Sequence, residues 1–192
     1  MVNLSKGQKI ALGKNVNCCY IGLSLDFNRE AIKAYSSFDY DTAVFLLEAN
    51  GKVSGDEDLV FYGNRRHING SVETWGGEGD DEDDEIVILN FSTIPAYVQK
   101  IVIYATIYDA IGRKQNFCQL SNLRVRVGQD NNKNFKISEE IACYEIKGEF
   151  SDEMVIAACE LTRNGSEWEF CALGIGYNDD LADLCRKYGI DV

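Results

Sequence analysis

Two aspartates at the start of a predicted strand have the type and spacing of a half-site for a metal ion. They lie in Phe38-Asp39-Tyr40-Asp41, just before the apolar run 43–47. Residues i and i+2 of an extended chain point to the same side, so we expect both carboxylates to face one direction. Hard cations such as Ca²⁺ prefer oxygen ligands of this kind. The same spacing is also compatible with the polar edge of an ordinary strand.

A second group of carboxylates occupies residues 78–85, where seven of eight positions are Asp or Glu. Two carboxylates about 5 Å apart repel by roughly 1 kcal/mol in water and by roughly 3 kcal/mol near a protein surface. The run is therefore either a solvated loop or a binding site for Ca²⁺, which takes about six to eight oxygen ligands. It is not an EF-hand, because counting from Asp80 puts Glu85 at the glycine position and Phe91 at the glutamate position.

Composition limits the classes of function. At 192 residues and 45% hydrophobic content, the chain is expected to form a single domain over residues 1–192. The formal net charge of −12 argues against nucleic acid as a partner and favours cations and basic protein surfaces. Since the sequence has neither a long apolar run nor an apolar leader, we expect no membrane span, no signal peptide and a cytoplasmic location.

The seven cysteines form no Cys-x-x-Cys pair. Several lie in apolar runs, which favours buried reduced thiols over disulfides or zinc. Cys18 and Cys19 are the best candidates for an exposed thiol, because adjacent strand residues cannot both face the core. His67 is the single histidine, so no triad or zinc cluster can be built around several imidazoles, and we expect it to lie in a loop.

Short runs of Tyr, Phe, Val and Ile between glycines predict a mainly β fold, a two-sheet β-sandwich with a short C-terminal helix. The helix is expected to follow an Asn178 N-cap and to end at Gly189. Its apolar stripe has the i, i+3, i+4, i+7 spacing: Leu181, Leu184, Cys185 and Tyr188. Nine strands are predicted: 18–27, 40–48, 59–62, 85–90, 100–109, 120–127, 141–146, 154–162 and 167–176.

A hairpin turn is predicted at Asn164-Gly165, because a type I′ turn needs positive φ at both central residues. This turn would place Leu161 opposite Trp168. It would also put Cys159 and Cys171 on opposite faces, which argues against a disulfide between them.

Blocks along nearly the whole chain resemble the TerD family, the tellurite-resistance and general stress proteins, and they occur in the family order. The matching stretches are 38–47, 56–62, 77–79, 83–85, 100–110, 115–122 and 160–177.

The resemblance implies a non-enzymatic, calcium-binding β-sandwich whose site lies where the Phe-Asp-x-Asp strand meets the glycine-rich acidic loop. Calcium would order the loop and create a surface for a protein partner of a stress-response complex. The implied metal ligands are Asp39, Asp41, Glu78 and one or more of Asp83, Asp84 and Glu85. The Gly-Asp-Asn segment that usually precedes Thr-Gly-Glu-Gly is shorter here by about three residues, so a second site would lack its ligands.

The sequence is compatible with two other functions. The cysteines and the family's link with tellurite are compatible with a thiol-based redox or metalloid-handling protein, which needs exposed thiolates of lowered pKa. A small-ligand binder, for example of a cyclic nucleotide, is the third alternative, although the sequence shows no phosphate-binding loop.

Overall fold

A computed structural model describes residues 1–27, 38–76, 83–147 and 150–192. Its strands are β1 (Val2–Leu4), β2 (Lys9–Ala11), β3 (Cys18–Phe27), β4 (Tyr40–Leu47), β5 (Leu59–Val60), β6 (Val72–Gly76), β7 (Glu85–Asn90), β8 (Lys100–Ile107), β9 (Leu120–Gln129), β10 (Glu139–Lys147), β11 (Val155–Asn164) and β12 (Glu167–Tyr177). The helices are α1 (Ala110–Arg113) and α2 (Leu181–Tyr188), with short 3₁₀ turns at Asp56–Asp58 and Phe117–Gln119. In the described part of the chain, neither helix is long and apolar enough to cross a membrane.

The strands form two six-stranded sheets, which confirms the predicted mainly β fold. Sheet A has the order β1-β10-β9-β3-β7-β6, and sheet B has the order β2-β12-β11-β8-β4-β5. β1 runs parallel to β10, whereas the long neighbouring strands of both sheets pair antiparallel. Each sheet is closed at one edge by a short N-terminal strand, and the Gly7 amide between these two strands donates to the Ala172 carbonyl at 2.7 Å.

The main hydrophobic core fills the space between the sheets. Ile21 and Leu23 of sheet A share one cluster with Val44, Leu46 and Ile103 of sheet B, all fully buried. Alternate residues of a strand point to opposite faces, so the residues between them in β4 point to the outside of sheet B. Burying one such aliphatic side chain contributes roughly 1.5–3 kcal/mol.

A second apolar cluster covers the outer face of sheet B. Phe45 of β4 packs there against Leu184, Cys185 and Tyr188 of α2, so the predicted stripe of the helix is confirmed. Gly189, with φ of 96°, ends the helix as predicted.

The predicted N-cap at Asn178 is wrong. Asp180 caps α2: its side chain accepts from the Asp183 amide, and the Asp183 carboxylate accepts from the Asp180 amide. This reciprocal pair of bonds satisfies two backbone donors, more than a lone Asn178 could.

The hairpin β11–β12 differs from the prediction by two residues in register. Asn164 pairs with Glu167 and Leu161 pairs with Phe170, so the turn residues are Gly165 and Ser166. Gly165 has φ of 63° and occupies the first turn position, where only glycine is unstrained. A shift of two keeps the side chains next to the turn on their faces. A bulge between Ala157 and Cys159 then changes the alternation, so that Ala157 packs in the outer cluster and Cys159 in the main core.

Candidate metal centre

The strand β4 holds Asp41 on the outer face of sheet B, the side that carries Ala43 and Phe45. Burial raises the pKa of Asp41, the charge of Asp39 raises it further, and Arg65 opposes both effects. Asp39 itself is 60% exposed, and its carboxylate lies 3.6 Å from Nη1 of Arg113. Asp39 is therefore close enough to disfavour the charge of Asp41.

The end of the acidic loop meets β4 through the residues that alternate with these aspartates. The Tyr40 hydroxyl lies 3.1 Å from the Leu23 carbonyl and 3.3 Å from Oδ2 of Asp84. The amide and hydroxyl of Thr42 donate to Oε2 of Glu85 at 3.3 and 3.1 Å. The two acidic segments thus do meet, but the direct hydrogen bonds run along the inner side of β4.

Glu85 links the two sheets at this end of the sandwich, since it begins β7 of sheet A and contacts β4 of sheet B. Burial raises its pKa to about 7, despite the two Thr42 hydrogen bonds that lower it. The charge of Asp41 raises that pKa further, and Arg65 lowers it. Within the described residues neither Asp41 nor Glu85 forms an ion pair, so two repelling carboxylates lie near each other at the end of β4.

Asp83 occupies a different environment, on the outer face of sheet A. Its Oδ2 accepts from the Tyr20 hydroxyl at 2.9 Å and from Nη1 of Arg126 at 3.1 Å, and the side chain is almost fully buried. A Cβ atom on Gly22 would lie 2.2 Å from this oxygen, so glycine makes room for the carboxylate. Its charge is therefore compensated by a buried guanidinium.

Asp84 continues the backbone pairing of β7 with β3. Its amide donates to the Leu23 carbonyl at 2.9 Å, and its Oδ2 accepts from the Leu25 amide at 2.8 Å. Asp83 and Asp84 together fasten the end of the acidic loop to sheet A.

The predicted ligands are thus brought together only in part. Asp39 raises the pKa of Asp41, and Asp41 in turn raises the pKa of Glu85. Asp84 approaches β4 through Tyr40, and Asp83 points away from them. The prediction for Glu78 lies outside the described residues. In the ranges that the structure describes, no three or more His, Cys, Asp or Glu side chains are arranged to hold a metal ion.

A buried polar network around His67 was not foreseen from the sequence. Nε2 of His67 lies 3.2 Å from Oδ1 of Asp58, which also accepts from the Tyr97 hydroxyl at 2.8 Å. Ser71 Oγ lies 3.3 Å from Nδ1 of His67, but Ser71 is fully buried, so no substrate can reach this Ser-His-Asp set. His67 does lie in a loop, yet the sequence Arg65-Arg66-His67 carries no periodic signal of its burial.

All seven cysteines are free thiols. Burial raises the pKa of six of them: Cys18, Cys19, Cys143, Cys159, Cys171 and Cys185. Cys18 is half-buried and Cys19 is buried, as the alternation of strand residues predicts, and Cys118 is exposed.

Known proteins resemble this chain over its whole length. The sequence profile of the TerD domain matches residues 1–188. The chain is 40% identical to General stress protein 16U of Bacillus subtilis over 200 residues, covering 100% of this chain and 98% of that protein. It is 38% identical to Tellurium resistance protein TerD of Serratia marcescens over 197 residues, covering 99% and 98%.

Another Bacillus subtilis relative, the uncharacterized protein YceE, is 42% identical over 198 residues and covers 100% of this chain and 99% of its own. The crystal structure of a TerD homologue from Streptomyces coelicolor has the same fold, with a TM-score of 0.65 at 15% identity over 92% of this chain and 100% of that one. The profile match over residues 1–188 and these full-length relatives show that the chain belongs to the TerD domain family.

Proposed function

We propose that this chain is a non-enzymatic calcium-binding protein of the stress response. Asp41 and Glu85, with Asp39 beside them, would hold the ion, and oxygens of the acidic loop would complete its coordination. The donor set fits, because these groups are all hard carboxylate oxygens, the ligands that Ca²⁺ prefers. Bound calcium would supply positive charge and would tie the loop to β4.

The observation that carries this proposal is the pair of half-buried carboxylates from opposite sheets, Asp41 and Glu85, which have no ion pair among the described residues. Glu85 is buried enough to raise its pKa to about 7, and Asp41 adds to that rise. A partly buried carboxylate near a like charge is unfavourable unless a cation neutralises it. A divalent ion at the end of β4, within reach of both carboxylates, would remove this repulsion.

The remaining acidic residues would divide into two roles. Asp83 and Asp84 would fix the start of β7, because both are already engaged by donors of sheet A or of β4. Glu78 and Asp84 remain predicted ligands, whereas Asp83 faces Arg126 on sheet A and has only the first role. The ordered loop would then present a surface to a protein partner.

The stress context rests on the family. Relatives that match the chain end to end are named for general stress and for tellurium resistance. The six thiols whose pKa is raised by burial count against redox or metalloid chemistry at cysteine, because reactive thiols have lowered pKa values.

Isothermal titration of chelator-treated protein with CaCl₂ tests the proposal. We expect saturable binding and a rise in melting temperature, since an ion at about a thousandfold its dissociation constant stabilises the fold by roughly 4 kcal/mol. Asp41→Asn and Glu85→Gln should each weaken binding at least tenfold, because each removes a charged ligand. Glu145→Gln is the matched control, as Glu145 is an exposed carboxylate on sheet A that pairs only loosely with Lys147 at 3.4 Å.

The proposal fails if millimolar calcium produces neither heat nor a change in melting temperature. It also fails in its assignment of ligands if Glu145→Gln weakens binding as much as Asp41→Asn does. MgCl₂ serves as a second titrant, because a site with a large, irregular oxygen set should favour the larger ion.

A further inference from the structure

A groove of about 640 Å³ opens on the outer side of sheet B, beside the C-terminal helix. One wall is the chain from the end of β8 into α1, and another is the segment from the 3₁₀ turn Asp56–Asp58 through β5. The start of α2 closes the third side. Asp41 is one of its lining residues, so the groove adjoins the proposed calcium site but is much larger than an ion requires.

Exposed apolar side chains line this groove. The rings of Tyr62 and Tyr108 meet edge to face, with centroids 5.9 Å apart, and both residues are about half exposed. Ile111 of α1 is 70% exposed, while Ile107 and Leu59 form buried parts of the lining. Large exposed apolar groups gathered in one concave surface are typical of a binding site.

The polar part of the lining carries a single sign of charge. It contains five aspartates: Asp41, Asp56, Asp109, Asp180 and Asp191. None of the described residues that line the groove is Lys, Arg or His. Carboxylates around a concave apolar surface attract cations, and tyrosine rings add cation–π attraction for Lys and Arg side chains.

From this combination we propose that the groove binds a basic segment of a partner protein, in which aliphatic residues alternate with Lys and Arg. The aliphatic side chains would contact the tyrosines and Ile111, and the basic side chains would reach the aspartates. An anionic phosphate ligand would be repelled by the same carboxylates, and a simple polyamine would leave the apolar walls without a contact. The inference goes beyond the proposed calcium site and needs no bound ion, although Asp41 belongs to both.

A synthetic peptide tests the groove directly. The probe is a fluorescein-labelled peptide of sequence Ser-Lys-Arg-Leu-Lys-Leu-Arg-Lys-Ser, followed by fluorescence anisotropy in EDTA and again in CaCl₂. We expect saturable binding in both buffers, weakened by added salt because the charges are at the surface. A peptide with Glu in place of every Lys and Arg should not bind, and one with Ser in place of Leu should bind several-fold more weakly.

Variants of the groove give the matched comparison. The triple change Asp56→Asn, Asp109→Asn and Asp180→Asn should weaken the peptide about tenfold, as expected for three surface ion pairs. Asn is tolerated at the positive φ of Asp109 and is a good N-cap at position 180, so the fold should be kept. The control changes three exposed carboxylates elsewhere, Glu139→Gln, Glu145→Gln and Asp152→Asn, and should leave affinity within about twofold.

The apolar wall is tested separately with Tyr62→Ala and Ile111→Ala, which should each weaken the peptide several-fold. Ile68→Ala is the control, since Ile68 is 85% exposed and does not line the groove. Equal losses in groove and control variants would overturn the proposal, because they would show general attraction to an acidic protein. Absence of binding, or displacement by spermidine at an equal concentration, would overturn it as well. If calcium binding fails but peptide binding persists, only the proposed calcium function is refuted.

Discussion

Two kinds of carboxylate coexist in this protein, one buried and paired, the other half-buried and unpaired among the described residues. Asp83 and Asp58 each have a basic partner, Arg126 and His67, and further hydrogen-bond donors. Asp41 and Glu85, at the end of the sandwich, have each other's charge nearby and no ion pair among the described residues. The charge of a paired carboxylate is balanced within the fold, whereas the charges of Asp41 and Glu85 are those that the proposed calcium ion would neutralise.

Breaking the buried ion pair between Asp83 and Arg126 should cause the largest loss of stability. Arg126→Met should destabilise the protein by about 3–5 kcal/mol, because it removes the guanidinium from a buried ion pair and leaves the Asp83 charge in place. Lys100→Met is the control: Lys100 forms a partly exposed ion pair with Glu160 at 2.9 Å, which should contribute less than about 1 kcal/mol. Urea denaturation measures both, and similar losses would erase the distinction between buried and exposed pairs.

The His67 network should show the next largest loss. Asp58→Asn is expected to destabilise the fold by about 3 kcal/mol, because the carboxylate accepts from the Ser54 amide, Tyr97 and His67 and an amide cannot accept from all three. Asp56→Asn, two residues earlier and exposed, should change stability by less than about 0.5 kcal/mol. Thermal unfolding of the two variants side by side decides whether this network is structural.

Removing the charge of Glu85 should stabilise the calcium-free protein, in contrast to the two substitutions above. Burial raises the pKa of Glu85 from 4.5 to about 7, so the fold favours its protonated form. Its contribution to stability is then fully present below about pH 4.5 and is lost as the pH rises to about 7. Glu85→Gln should stabilise the calcium-free protein by about 2 kcal/mol at pH 8, since one pKa unit corresponds to about 1.4 kcal/mol and the side chain is not fully buried.

The same substitution should have little effect at pH 4.5, where Glu85 is already protonated in the folded chain. Urea denaturation in EDTA at the two pH values gives the comparison. A variant that is less stable than the wild type at pH 8 would show that Glu85 is held as a favourable charge, contrary to the repulsion described above.

Asp41→Asn should have the smallest effect on the calcium-free protein. The pKa of Asp41 is raised by burial and by Asp39, but the residue is about half exposed, so solvent screens most of the repulsion and a gain below about 1 kcal/mol is expected at pH 8. Asp152→Asn provides the baseline for removing an exposed charge. A loss of stability with Asp41→Asn in EDTA would show that the charge of Asp41 is favourable in the folded chain, as it is in the paired carboxylates.

Much of the fold was predictable because its signals are local. β3 and β7 begin and end where the runs of β-branched and aromatic residues predict. β1, β2 and β6 were missed, because three to five residues next to longer strands carry little pattern of their own. The hairpin register was missed because Asn164-Gly165 suits two different turns, and the choice depends on how β11 pairs with β8 as well.

For the candidate site, the sequence predicts which segments meet but not which side chains could bind an ion. The motif around Asp39 and the acidic run indicate which segments meet, and Thr42 and Glu85 do meet. No sequence pattern separates Asp83 from Glu85, since the difference between them arises from Arg126, more than forty positions away in the chain. The groove could not be predicted for the same reason, because its aspartates come from segments that are distant in sequence.

The N-terminal twelve residues have a consequence for how copies of this protein behave toward each other. One short strand covers the edge of sheet A at β10, and the next covers the edge of sheet B at β12. An uncovered edge offers free N–H and C=O groups to any strand that approaches. Loss of this single segment, by proteolysis for example, would expose the backbone edges of β10 and β12 together. Each edge could then pair with a strand of another copy, which would favour strand exchange and aggregation.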